Sequence, residues 1–228
     1  MEVNRIAVVT ESGNGLGKTF ANILLNNHYD VVLAASKKSY EMLSQDGGLL
    51  QAYSLVQTDF TSDESVSELK ALIASKFGRL DLLINNAEVA NGFGQKIDHI
   101  KIDDVREVYE TNLFAVIRMV QMLKPLLEKS DDPSIINITS AMGDIDKMKD
   151  DNFCYSNYCM TAYATSKAAL NMFTHLQCKE FKPSKIAINS FDPIALKNCT
   201  HNSVTICDYI KDEFLLLIKK APLHIPNP

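Results

Sequence analysis

At 228 residues the chain is long enough for one domain with a sizeable core, and its make-up, 46% hydrophobic and 22% charged, is that of an ordinary globular protein. A formal net charge of −5 provides no basic field for nucleic acid or an anionic membrane surface. No apolar run approaches the ~20 residues a membrane helix needs, and Met1-Glu2-Val3-Asn4-Arg5 has no signal-peptide pattern.

Strand-like apolar runs then alternate with helical patterns along the whole chain. A strand is predicted at Ile6–Thr10, followed by a helix at Leu16–Asn27, a strand at Val31–Ala35 and a short helix near Tyr40–Ser44. Next come a strand at Ala52–Thr58, a helix at Ser62–Phe77, a strand at Leu80–Asn85 and a long helix at Ile102–Lys129 interrupted by Pro125. A strand at Ser134–Thr139 leads into an irregular stretch to Cys159. A helix at Thr161–Phe181, a strand at Lys185–Phe191 and a helix near Asp208–Lys220 complete the series. The strands are continuous Val/Ile/Leu runs, as expected when both faces are buried. Such alternation implies a doubly wound, mainly parallel, Rossmann-type α/β sheet with right-handed crossovers. No linker or repeat divides the chain, so residues 1–228 read as a single domain. After the last helix the chain runs Ala221-Pro222-Leu223-His224-Ile225-Pro226-Asn227-Pro228, with little strand character.

Five cysteines, at positions 154, 159, 178, 199 and 207, form no C-x-x-C pair and suggest free thiols in a reducing compartment, hence the cytoplasm. The histidines are scattered, none at metal-ligand spacing from a Cys or acid, so no metal is expected.

Two stretches carry chemistry. The first strand–helix turn, Thr10-Glu11-Ser12-Gly13-Asn14-Gly15-Leu16-Gly17, is glycine-rich. Glycines there let backbone approach a pyrophosphate, and the next helix aims its unpaired N–H groups at it. Tyr163 and Lys167, four residues apart in a helical segment, project from one face. A neighbouring ammonium favours the phenolate, which lets a tyrosine exchange a proton with a carbonyl or alcohol oxygen. An ordinary surface Tyr–Lys pair is the plain alternative.

The full set of motifs resembles the short-chain dehydrogenase/reductase family, most of all its carbonyl-reductase-like branch. The family's nucleotide loop corresponds to Thr10 through Gly17. Its D-x-T segment corresponds to Asp59-Phe60-Thr61, and its N-N-A-G to Asn85-Asn86-Ala87-Glu88. Its helix-borne Asn corresponds to Asn112, its S-x-x-G to Ser140-Ala141-Met142-Gly143, its Y-x-x-x-K to Tyr163–Lys167 and its P-G to Pro193-Ile194. The resemblance implies hydride transfer between a nicotinamide cofactor and a small carbonyl or alcohol substrate. Tyr163 would be the general acid/base, and Lys167 would lower its pKa and hold the nicotinamide ribose. Ser140 would bond the substrate oxygen, and Asn112 would hold a water in a proton relay. Thr10, Ser12, Asn14, Gly15, Leu16, Gly17, Asp59, Phe60, Asn86, Ala87, Pro193 and Leu196 would line the cofactor with Tyr163 and Lys167. A loop at about 194–206 would cover the substrate.

The second predicted strand ends Ala34-Ala35-Ser36-Lys37-Lys38 without an acid, so Ser36 and Lys37 could take a 2′-phosphate. That favours NADP(H), with NAD(H) the alternative. Glu11, Glu88 and Ile194 stand where the family has glycines, and Asn198 where it has a nicotinamide-contacting Thr. Those departures keep open a non-catalytic dinucleotide sensor or protein-interaction module on the same fold. Ser140 and Tyr163 are further apart than is usual in the family, and the extra residues, Asp144–Cys159, read as an active-site wall or a cover over a dimerisation face. With the family's last strand missing or vestigial, a monomer or homodimer is expected.

Overall fold

The computed structural model of the chain describes residues 4–11, 15–45, 52–158, 160–193 and 206–219. Six strands form one sheet: β1 (Arg5–Thr10), β2 (Tyr29–Ala35), β3 (Ser54–Gln57), β4 (Leu82–Asn85), β5 (Ser134–Ile138) and β6 (Ala187–Phe191), in the order β3-β2-β1-β4-β5-β6. Every pairing is parallel. The order reverses between β1 and β4, and the crevice beyond their carboxyl ends is where sheets of this kind bind ligands.

Alternation along each strand divides the core in two. Val8 of β1, Val32 of β2, Leu83 of β4 and Ile135 of β5 face one layer, built with α3 (Asp63–Phe77), α5 (Ala115–Leu127) and α7 (Thr161–Glu180). Val9, Leu33, Ile84 and Ile136 face the other, built with α1 (Gly15–Leu25), α2 (Lys37–Leu43) and α8 (Ile206–Lys219). In that second layer Phe20 of α1, Phe191 of β6 and Phe214 of α8 stack with centroids 4.6 to 6.0 Å apart. That cluster fixes α8 against the sheet.

The sequence places these elements in the right order, with instructive differences at their ends. The strand expected from Leu80 begins at Leu82 because Leu80 N–H turns to Leu126 O, and Asp81 serves as a bolt. The Asp81 carboxylate is buried, accepts the Ile6 N–H at 2.7 Å and pairs with Arg79 at 3.1 Å. The strand expected from Lys185 begins at Ala187, because Lys185 sits at φ 56° and closes the preceding turn. The single long helix expected at 102–129 is α4 (Ile102–Tyr109) running through a π turn at Glu110–Phe114 into α5. Pro125 does not interrupt it. It falls in the last turn of α5, which ends at Leu127. The stretch expected to be irregular holds a one-turn helix, α6 (Ile145–Lys149), capped by the Asp144 side chain. Residues 221–228, expected to lack the last strand, lie outside the described residues. Among the described residues no helix is long and apolar enough to cross a membrane.

Candidate active site at the strand switch point

Thr10 ends β1 and knits it to the segment after β4. Its Oγ1 accepts the N–H groups of Asn86 and Ala87, each at 2.9 Å. Asn86 Nδ2 returns bonds to Thr10 O and Glu11 O, each at 3.0 Å. These two expected cofactor residues therefore spend their polar atoms holding the crevice in shape, a use the motif alone does not reveal. Ala87 packs its methyl on the core. Phe60 is buried in the same core layer, so it is a packing residue there. Asp59 is exposed and caps its own turn by accepting from Thr61 N–H and Oγ1. Those bonds hold its carboxyl below the usual range.

In the nucleotide loop, Gly15 starts α1 at φ +56° with no heavy atom within 4 Å of where a Cβ would stand, while Gly17 is buried and Leu16 leans on the second core layer. Gly15 needs the left-handed backbone; it does not need the space. Ser12, Asn14, Ile194, Leu196, Asn198 and most of the expected substrate loop lie outside the described residues, while Pro193 is buried at the end of β6.

Glu11 stands at φ 52°, in the left-handed region, a conformation that costs a non-glycine residue of order 1 kcal/mol. Its side chain turns away toward the end of β2. Oε2 accepts Ser36 N–H at 3.1 Å, and Oε1 accepts the Ser36 hydroxyl at 3.2 Å and the Ser39 hydroxyl. Ser36, expected to receive a 2′-phosphate, thus has both its backbone and side-chain donors on a carboxylate. Lys37 and Lys38 are exposed.

On the opposite rim, Ser140 follows β5 and opens a tight turn, Ala141–Gly143. That turn lies against α7 so closely that a Cβ on Gly143 would come within 2.6 Å of the Lys167 carbonyl carbon and 2.7 Å of Ala168 N. The glycine of S-x-x-G is there for that approach, which sets the serine against the helix bearing Tyr163 and Lys167. The Ser140 hydroxyl stands near enough to the Tyr163 phenol to favour the phenolate. Lys167 is 1% exposed; its Nζ donates to Ile138 O at 3.0 Å and stands 5.4 Å from the centre of the Tyr163 ring.

The carboxylate of Glu88, which replaces the last glycine of N-N-A-G, reaches into this pair. Its Oε2 is 2.7 Å from Lys167 Nζ and 3.2 Å from the Tyr163 hydroxyl, which donates to it. The expectation that the lysine lowers the tyrosine pKa is therefore corrected. Burial first, and the Glu88 charge second, hold the phenol well above its ordinary value, outweighing the opposite influence of Ser140. Asn112 also differs from expectation. Its Oδ1 accepts Val89 N–H at 2.8 Å, while Nδ2 donates to Val89 O and Ser166 Oγ, each at 3.0 Å. Both amide protons are committed, so the side chain ties the Glu88–Val89 segment to α7. The π turn that carries it is the kind of helix defect found where function bends a helix.

A six-stranded parallel sheet whose switch-point crevice holds a glycine-initiated helix on one rim and a Ser–Tyr–Lys group on the other defines a dinucleotide-binding oxidoreductase fold. The profile of the family described as short chain dehydrogenase matches residues 5–205, and the chain belongs to that family. It is 30% identical over 197 residues to the 7alpha-hydroxysteroid dehydrogenase of Escherichia coli (strain K12), covering 84% of this chain and 71% of the relative. Among solved structures it is similar to an NADPH-bound carbonyl reductase from chicken fatty liver. The TM-score is 0.74 and the identity 26%, over 84% of this chain and 80% of that one. A short-chain dehydrogenase structure from Pseudomonas syringae, at 22% identity and TM-score 0.76, shares the fold over 95% of this chain and 90% of its own.

The described residues fit a nicotinamide dinucleotide in their donor set. Glu11 keeps acceptor capacity at the end of β2, and Lys167 has two of its three protons accounted for, by Ile138 O and Glu88.

Proposed function

We propose that this protein is an NAD(P)(H)-dependent oxidoreductase acting on a carbonyl/alcohol pair, with Tyr163 as the proton donor. The observation that carries this reading is the meeting of the Ser140 hydroxyl, the Tyr163 phenol and the buried Lys167 ammonium at one rim of the crevice. Ser140 steadies the substrate oxygen as charge develops on it. Tyr163, a phenol and so protonated at neutral pH, gives its proton to that oxygen in carbonyl reduction, and burial with Glu88 holds that proton more tightly than in an ordinary phenol. Lys167 supplies positive charge beneath the phenol, and its remaining donor is available to a ribose hydroxyl. Asn112 and Gly143 hold the two sides in register. Thr10 and Asn86 shape the crevice floor, with Gly15, Leu16 and Gly17 under the pyrophosphate. The dinucleotide supplies the hydride when bound.

Support for the substrate class comes from the relatives: one is a hydroxysteroid dehydrogenase and a structural neighbour is a carbonyl reductase holding NADPH. The test is turnover of a panel of aldehydes, ketones and hydroxysteroids by the parent and by Tyr163→Phe. The phenylalanine variant is expected to lose at least about 100-fold in turnover, the usual worth of a positioned acid. Equal rates in both would remove Tyr163 from the mechanism.

The Glu88–Lys167 ion pair favours a second reading, a non-catalytic dinucleotide-binding or partner-binding protein. It predicts no turnover of any member of the panel, with cofactor binding kept only by a dinucleotide-binding protein.

A further inference from the structure

We infer that Glu11 sets the choice of dinucleotide, selecting NAD(H) over NADP(H); the inference rests on the oxidoreductase reading above. In doubly wound sheets the pyrophosphate sits at the first strand–helix turn, and an acid at the end of the second strand binds the adenosine ribose hydroxyls. This chain has no acid at the end of β2, where Ala35 is followed by Ser36, Lys37 and Lys38. The carboxylate comes instead from the end of the neighbouring strand, β1. Glu11 lies one residue past β1, its N–H bonds Ala34 O of β2, and its side chain spans to Ser36.

Three donors hold that carboxylate in place: Ser36 N–H, the Ser36 hydroxyl and the hydroxyl of Ser39, itself buried. A carboxylate offers about four acceptor positions. One therefore remains for a ribose hydroxyl, and Glu11 is itself only partly buried, so that position is within reach of a ligand. The 2′-hydroxyl of NAD(H) can donate to it. A 2′-phosphate is mostly without a proton to give near neutral pH and would set nearly two negative charges beside a fixed one.

Lys37 and Lys38 pull the other way, but weakly. Both are exposed, where screening reduces their charge, whereas the carboxylate is fixed directly on the residue the phosphate would need.

The test is calorimetric titration of the full chain with ADP-ribose and with 2′-phospho-ADP-ribose. These probes lack the nicotinamide but keep its ribose, so Glu88 and Lys167 bear on both alike and cancel from the ratio. The parent is expected to bind ADP-ribose at least about tenfold more tightly than the phosphorylated probe, the scale of one like-charge clash. Glu11→Gln and Glu11→Gly are expected to shrink that ratio several-fold, mainly by tightening the phosphorylated probe. Equal binding by the parent, or tighter binding of the phosphorylated probe, overturns the inference and leaves the oxidoreductase reading standing. An unchanged ratio in folded variants also overturns it, since the preference would then come from elsewhere. No binding of either probe defeats the inference and the dinucleotide reading together. Should a variant fail to fold, the parent's ratio still decides, because it requires no substitution.

Discussion

The carboxylate of Glu88 lies 2.7 Å from the Lys167 ammonium and 3.2 Å from the Tyr163 hydroxyl, so one acid closes on both members of the proton-transfer pair. Its side chain is 39% exposed while that of Lys167 is 1% exposed, which makes the lysine the immobile partner and Glu88 the one able to move. A cofactor ribose seeking Lys167 must share it with, or displace, this carboxylate. A half-exposed pair of this kind is worth about 1 kcal/mol. Glu88→Gly is therefore expected to raise affinity for NADH roughly fivefold, the equivalent of that energy. Fluorescence titration checks it, and unchanged or weaker binding would mean that Glu88 moves aside without cost or helps hold the ligand.

The same carboxylate predicts a pH effect. Burial is the larger cause of the raised Tyr163 pKa, and the Glu88 charge adds to it. Alcohol oxidation needs the phenolate, so its rate should climb only on the alkaline side. Glu88→Gln removes a negative charge beside the phenol and lowers its pKa, so the rising limb of the oxidation profile should move to lower pH. Carbonyl reduction at neutral pH should change far less, because the phenol is already protonated there. A profile of kcat/KM against pH in both directions decides this. A limb that stays put, or moves up, contradicts the electrostatic role of Glu88.

The close approach of Gly143 to α7 gives a prediction that does not depend on cofactor. A methyl there meets backbone atoms of Lys167 and Ala168 at 2.6 and 2.7 Å, and backbone cannot rotate aside as a side chain can. Gly143→Ala is expected to cost about 1–3 kcal/mol, as overpacking usually does. For a chain of this size that is a fall in Tm of about 2–4 °C per kcal/mol. Because the displaced helix carries Tyr163 and Lys167, turnover should fall further than stability. Thermal unfolding and kcat together separate the two effects. An alanine variant with unchanged Tm and rate would mean that the turn relaxes freely.

Much of this site is legible in the residue order and some of it is not. The strand–helix alternation and the motif series place Thr10, Asn86, Asn112, Ser140, Tyr163 and Lys167 around one crevice, because parallel strands deliver their carboxyl ends to the same edge. Pairing by spacing also finds Tyr163 and Lys167 on one helix. What spacing cannot convey is the direction of a long acidic side chain. Glu11 and Glu88 both read as obstructions at glycine positions, yet one turns onto Ser36 and Ser39 and the other onto Lys167. The raised Tyr163 pKa follows from that second turn and from burial, neither of which is local in sequence. The signal that could have found them was the acid itself: a carboxylate beside a crevice lined with hydroxyls, amides and an ammonium has donors to seek. The motif series singles out Asn112, but its partners, Val89 and Ser166, are 23 residues upstream and 54 downstream.

That bridge makes Asn112 a testable positioning residue. Removing its amide in Asn112→Ala leaves Val89 N–H and O without their partner in a partly buried site, a loss of about 1–3 kcal/mol. The Glu88–Val89 segment is then no longer tied to Ser166, whose own hydroxyl donates to Tyr163 O at 2.7 Å. Turnover should fall with KM for the dinucleotide rising, and Asn112→Asp should restore only the part that Oδ1 supplies. A variant that loses stability but keeps both constants would make Asn112 a packing residue alone.

Alkaline unfolding provides a last check, on burial of the phenols. Tyr29, Tyr53 and Tyr163 all have pKa values raised first of all by burial. In the unfolded chain each ionises near pH 10. Above that pH the unfolded chain has released protons that the folded chain keeps. Stability therefore falls as pH rises past about 10, and the contribution is complete below it. For a single phenol the slope approaches about 1.4 kcal/mol per pH unit until its folded pKa is reached. Tyr29 is the cleanest probe, being 4% exposed at the start of β2 with Arg5 over its ring at 5.2 Å. Tyr29→Phe keeps the ring and removes the titration, so its Tm should decline less steeply between pH 9 and 11 than that of the parent. Parallel declines would mean that Tyr29 ionises in the folded chain as readily as in the unfolded one, and that the β2 edge opens to water.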